Sequence, residues 1–206
     1  FVNTDKAGLF GKLLQIGLSS TTADAVVRHT DGSFTVAGSS SETLVGKKVA
    51  GVTDGVLIKI SKALKITSVV RSSAVKGKRI WNSATSTLLL GGEVVAGGKT
   101  ETAITKFTTS FAPTWTYRFA STGPAVTVGS TYAAFISTGP TPQLNWNPKV
   151  ATPLLLTFNA KGTVVAADSG PIGQKELLGA ILSKELGLLV VTSSADTVSI
   201  FTLIPR

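Results

Sequence analysis

The stretch DGSFTVAGSS, residues 31–40, sets an Asp-Gly turn in front of alternating small and apolar residues, the pattern of a hairpin turn feeding a half-buried strand. Aligned by that pattern it overlies ATSTLLLGGE (84–93), STYAAFISTG (130–139) and ELGLLVVTSS (185–194). After each of the first three copies come a loop, an apolar strand, a short turn and a further strand, in GVLIKISKALKITSVVRSS (55–73), TAITKFTTSFAPTWTYRFAS (102–121) and PLLLTFNAKGTVVAADSG (153–170). The fourth copy ends in DTVSIFTLIPR (196–206). A strand also precedes each turn, in DAVVRHT (24–30), KRIWNSA (78–84), PAVTVGS (124–130) and KELLGAILS (175–183), so each unit reads as a four-stranded antiparallel meander.

The spacing supports a repeat. Leu57 to Ile104 is 47 residues and Ile104 to Leu155 is 51, close to the ~40–50 residues of a propeller blade. A lone meander has two apolar faces and open edges, so it needs stacked neighbours. The expected fold is all-β, a β-propeller with approximate repeats 24–77, 78–123, 124–170 and 175–206. The last unit lacks its final strand, and residues 1–20 fit a strand-turn-strand slot, with TDKAG in the place of NAKG (159–162). Residues 9–19 are therefore expected to pair with 197–204 and close a four-bladed ring, the alternative being part of a larger propeller.

Composition agrees. The 206 residues are 43% hydrophobic and 15% charged, enough for a real core, and Ser and Thr make up nearly a quarter, a mixture that favours strands and turns. No apolar run approaches the ~18 residues of a membrane-spanning helix. The absence of Cys excludes disulfides, thiol nucleophiles and cysteine-bound zinc, and the absence of Met places Phe1 after a processed leader or at an arbitrary boundary.

The short motifs DGSFTVAGSS, GVLIKIS and LLLTFNAKG together resemble the degenerate β-propeller repeats of bacterial secreted and surface proteins, in which a DG turn, a V-x-G strand end and an apolar strand before a Gly turn alternate. The resemblance implies an extracellular or cell-surface module; the 84–139 region departs from it by losing the DG turn, and it carries over no site.

Catalytic signatures are weak. His29 is the sole histidine and stands beside Asp31, which suggests a base and its orienting carboxylate, but an ordinary strand-end side chain is the favoured reading. The eleven acids are scattered singly, so no calcium loop or carboxylate pair is legible. GGEVVAGG (91–98) lacks the Lys-Ser/Thr and the helix of a phosphate cradle and reads as an inter-strand loop. No catalytic residue, metal or cofactor is expected.

Binding is the better prospect. Net charge is +9, and GKK (46–48), KALK (62–65) and RSSAVKGKR (71–79) gather eight cations in one unit. Lys62, Lys65, Arg71, Lys76, Lys78 and Arg79, with Trp81 beside them, are the candidate contacts for an anionic polymer such as an acidic glycan or cell-wall polyanion. Nucleic acid is disfavoured, because stacking aromatics do not interleave with the cations elsewhere. Trp115, Tyr117 and Phe119 alternate on one strand face and read as inter-blade core. Trp146 lies in a loop with prolines at 140, 142, 148 and 153, where it either meets a partner or caps a blade edge. The first functional expectation is a non-enzymatic protein-interaction scaffold; the alternative is the polyanion-binding module, and a channel hydrolase comes third.

Overall fold

One five-residue turn recurs through the chain more regularly than its sequence does. In a computed structural model, which describes residues 2–203, it occurs at Asp5–Leu9, His29–Ser33, Ser61–Lys65, Thr85–Leu89, Thr108–Ala112 and Asn159–Thr163. The first residue's amide bonds the fifth carbonyl, and the fourth amide bonds the first carbonyl. At Asp5, Ser61, Thr85, Thr108 and Asn159 the side-chain oxygen also accepts the fifth residue's amide. The fourth residue takes a left-handed conformation, a geometry that reverses a strand within three loop residues while keeping the strand twist.

That fourth residue is Gly8, Gly32 and Gly162 in three copies but Leu64, Leu88 and Phe111 in the others, with φ of 54°, 59° and 66°. The 84–139 region has therefore lost the glycine and kept the turn, which corrects the reading of its sequence. A left-handed L-residue costs about 1–2 kcal/mol. Burial of Leu88 and Phe111 between the first and second sheets, and of Leu64 in the apolar cluster on the outward face of the first sheet, returns a comparable or larger amount, about 1.5–3 kcal/mol each.

The described residues form seventeen strands, and these turns join six pairs of them. An N-terminal hairpin pairs β1 (Val2–Thr4) with β2 (Phe10–Leu13). The first sheet is the meander β3 (Ala25–Arg28), β4 (Phe34–Ser40), β5 (Asp54–Ile60) and β6 (Ile66–Ser72). The second is β7 (Lys78–Ala84), β8 (Leu89–Ala96), β9 (Lys99–Phe107) and β10 (Pro113–Ala120). The third is β11 (Val126–Val128), β12 (Tyr132–Ser137), β13 (Thr152–Phe158) and β14 (Val164–Ser169). The last has three strands, β15 (Glu176–Ser183), β16 (Gly187–Ser193) and β17 (Val198–Leu203).

The sheets stack in chain order. Their first strands touch in succession, β3 on β7, β7 on β11 and β11 on β15, and among the described residues no contact of that extent joins β15 to β3. Ala37, Leu57, Trp81, Leu90 and Phe107 fill the first interface. The second holds Ile104, Phe119, Phe135 and Leu154, with Trp115 stacked on Phe158 at 5.0 Å and Phe119 on Phe135 at 5.3 Å. This is where Trp115, Tyr117 and Phe119 sit, as their alternation indicates. Leu155, Ala134, Leu188 and Val190 fill the third. On the outward face of the first sheet, Val56, Ile58 and Ile60 are capped by Leu14, Ile16 and Leu44.

Three sequence expectations need correction. Residues 9–19 do not pair with 197–203: β2 bonds β1, β17 bonds β16, and the fan of sheets stays open; residue 204 lies outside the described residues, as does Phe1. In GGEVVAGG only Gly97 and Gly98 form the turn, with positive φ. Gly91 and Gly92 lie inside β8, where a Cβ would strike the Ala125 and Ile80 carbonyls. Pro153 belongs to β13, opposite Ile136, and its carbonyl accepts the Gly170 amide at 2.9 Å. It stands second in the strand, where a missing donor is tolerated.

Candidate functional site

The registers place one apolar position at the centre of the third strand of every sheet. Leu57 lies opposite Ala37 and Val70, Ile104 opposite Gly91 and Tyr117, Leu155 opposite Ala134 and Asp168, and Ile200 opposite Val191. Three residues further on, Ile60, Phe107, Phe158 and Leu203 are buried in all four sheets, so the four positions are equivalent. Leu57, Ile104 and Leu155 are at most 1% exposed because the following sheet covers them; Ile200 is 71% exposed. Around it Leu178, Ile181 and Val198 are exposed as well, and Leu189 and Val191 are half-buried. The last sheet thus carries an apolar face of the kind that is an interface between the other sheets, together with an edge of β17 that has no partner among the described residues. Spacing contains this signal, since Ile200 follows Leu155 by 45 residues, but exposure is a property of the stacked sheets.

A second apolar element stands apart. Leu9, Phe10 and Leu13 of the hairpin β1–β2 are exposed, Phe10 by 80%. Leu14 and Ile16 anchor the following segment on the first sheet. Glu42 clamps that segment: its carboxylate accepts the Leu18 amide at 2.9 Å, the Ser20 amide at 3.1 Å and the Thr21 hydroxyl at 2.6 Å. The Thr21 hydroxyl first, and then the amides, hold the Glu42 carboxyl below the ordinary carboxylate range.

The cations do not form one patch. Lys62 and Lys65 are exposed on the β5–β6 turn, whereas Lys76 and Lys78 are exposed beyond the far end of β6. Seven strand residues separate the two pairs by about 20 Å. Arg71 is committed to the fold: Nε donates to the Lys47 carbonyl at 3.2 Å, one terminal nitrogen reaches the Ser40 carbonyl and the Asp54 carboxylate, and the other the Glu42 carbonyl. It ties the β4–β5 loop to β6.

Arg79 and Trp81 are interior. Trp81 is fully buried, edge-on to Phe107, and the Arg79 guanidinium lies 4.2 Å from its ring centre, between the first and second sheets. Arg79 donates to the Thr105 hydroxyl at 3.1 Å, while its Nε and Trp81 Nε1 have no hydrogen-bond partner. Burial, with Arg118 nearby, pushes Arg79 down to about 10. Strand alternation could have signalled this, because residues 79 and 81 point to one face and Lys78 to the other. Trp146 is half-buried against the second interface, and its Nε1 donates to the Ser137 hydroxyl at 3.2 Å.

Two clefts gather polar groups. One, of about 300 Å³ between the first and second sheets, holds His29, Asp31, Ser33, Thr35 and Lys59. His29 Nε2 shares a hydrogen bond with the buried Thr35 hydroxyl at 2.7 Å, and Asp31 takes the Ser33 hydroxyl at 2.6 Å and the Ser33 amide. Those Ser33 bonds hold Asp31 below the usual range, and its carboxylate caps the turn. The other cleft, of about 340 Å³, is lined by Glu93, Thr122, Pro124, Lys175 and Glu176, and burial raises the Glu93 carboxyl. No helix among the described residues is long and apolar enough to cross a membrane. Neither a protein-family model nor a curated protein matches this sequence.

Proposed function

We propose that the chain is a non-enzymatic, propeller-type repeat module of a secreted or surface protein, each sheet a blade, and that it serves as a protein-interaction scaffold through its last sheet. The observation that carries this reading is Ile200, exposed where its three equivalents are sealed by a neighbouring sheet. An apolar sheet face of this kind in water marks an interaction site, and an unpaired strand edge beside it adds backbone hydrogen-bonding capacity. The polyanion reading draws on the exposed Lys62, Lys65, Lys76 and Lys78. It is the weaker of the two, because the buried Arg71, Arg79 and Trp81 leave two separate lysine pairs.

A photo-crosslinking residue in place of Ile200, compared with one in place of the exposed Ser86, tests the scaffold reading in extracts and with purified protein. Protein adducts formed at position 200 and not at position 86 are the expected result. Equal labelling at both positions, or none, refutes it.

A further inference from the structure

The scaffold reading leaves open what covers the last sheet, and three features of the fold point to one occupant. The first is complementary incompleteness. Among the described residues three sheets have four strands and the last has three, and β17 has no partner along its outer edge. The hairpin β1–β2 has only two strands, packs extensively on no other strand, and exposes Leu9, Phe10 and Leu13. A two-stranded hairpin is marginal in water by itself, and β2 has one edge free after pairing with β1.

The second feature is distance along the fan. Leu14, Ile16 and the Glu42 clamp hold the hairpin at the first-sheet end, whereas β17 closes the opposite end of an open array. The strand that fits the edge is therefore held away from the edge of its own chain. The third is charge. Residues 1–77 carry ten Lys and Arg against five acids, and residues 171–206 carry three against three. The first-sheet segment is positive and the last-sheet segment neutral, so like charge opposes contact between two first-sheet ends and leaves a head-to-tail contact unopposed.

We propose that the last sheet takes the N-terminal hairpin of a second copy of this chain, with β2 of that copy antiparallel along the free edge of β17. In the contact β2 supplies the fourth strand that the other three sheets have, with β1 as a fifth outside it, and since Phe10 and Leu13 lie on opposite faces of β2, either register lays one of them on the face of Ile200. Such a contact is heterologous: it closes into a ring or runs on as a filament according to the rotation per copy. Two fans of four sheets give eight, within the roughly four to eight blades at which propellers close. The inference deepens the scaffold reading and rests on it.

The chain lacks cysteine, so engineered thiols report pairing without background. A Gly11→Cys protein is mixed under mild oxidation with separately purified single-Cys proteins bearing the thiol at each position from 198 to 202, and with Ser86→Cys as control. Far-UV melting confirms that each variant is folded, and Lys12→Cys replaces Gly11→Cys if the latter is not. The expected result is a mixed disulfide at one or two positions of β17, at least tenfold above the Ser86→Cys level and, for thiols at positions other than 200, falling to that level when Ile200→Lys is added. No disulfide above control at any position overturns the proposal. So does an intrachain disulfide in a chain carrying both thiols at high dilution, which would mean that the hairpin reaches its own β17. A photo-adduct from position 200 to a different protein, with no disulfide between copies, overturns the second-copy inference and leaves the scaffold reading standing.

Discussion

Replacing Arg79 by methionine is expected to stabilise the fold, against the usual outcome for a buried residue. Arg79 is 8% exposed and its guanidinium faces no carboxylate; it has one hydroxyl partner and one aromatic face. Burial lowers its proton affinity from the ordinary arginine value to about 10, which corresponds to a cost of about 3 kcal/mol for holding it charged at neutral pH. Losing the Thr105 bond gives up about 1.5 kcal/mol, and losing the stacking on Trp81 about 1 kcal/mol. Methionine fills much of the same space without the desolvation cost, so the net gain is on the order of 1 kcal/mol, a rise of about 2–4 °C in Tm for a chain of this size. The sign also fixes the pH dependence. The folded value lies below the unfolded one, so the folded parent binds fewer protons than the unfolded chain from about pH 10 upward, and its stability rises with pH there. The methionine variant lacks this slope, and the gap between the two proteins narrows at alkaline pH. Urea unfolding of both proteins at pH 7 and pH 10.5 is the assay. A loss of 1 kcal/mol or more in the variant at pH 7 would refute the reasoning, because it would mean that the guanidinium is compensated.

The other predictions concern single elements. Leu88→Gly should cost about 1–2 kcal/mol less than Leu90→Gly, although both side chains are buried, because only residue 88 has a left-handed backbone to relieve; equal losses by chemical denaturation would contradict the strain argument. Asp54 is buried, and burial alone would raise its carboxyl; the Ala50 and Gly51 amides and Arg71 hold it below the ordinary value instead. Its stabilisation is complete above about pH 4 and is lost as pH falls through the depressed folded value, so Asp54→Asn should cost about 3 kcal/mol at pH 7 and flatten the acid limb of a stability–pH curve. Trp146→Ala should lower stability by about 2–3 kcal/mol, measured by thermal melting, through lost packing on the second interface and the lost bond to Ser137.

The four meanders were legible because strand alternation and turn residues act over short distances. DGSFTVAGSS and NAKG identify their turns through Gly32 and Gly162, which alone satisfy a positive φ without strain. Leu88 and Phe111 hid theirs, because the compensation for their strained backbones is burial against another sheet. Arg71 and Arg79 were misread for a related reason. A run of cations looks like a surface, and only the packed sheets show one arginine clasping loop carbonyls and the other lying on Trp81. The 47- and 51-residue spacing carried the repeat, yet whether the fan closes depends on the rotation between stacked sheets, which strand patterns do not encode. The exposed face around Ile200 was missed with it.

The central claim is that one structural position is sealed in three sheets and open in the fourth. Threonine, a good strand former, placed in turn at Leu57, Ile104, Leu155 and Ile200 tests it directly when unfolding free energies are measured on dilute, monomeric protein. The three sealed positions should each lose about 2–4 kcal/mol, and Ile200→Thr should stay within about 0.5 kcal/mol of the parent. A loss at Ile200 equal to that at the other three would contradict the account, because it would mean that the last sheet is already covered within its own chain.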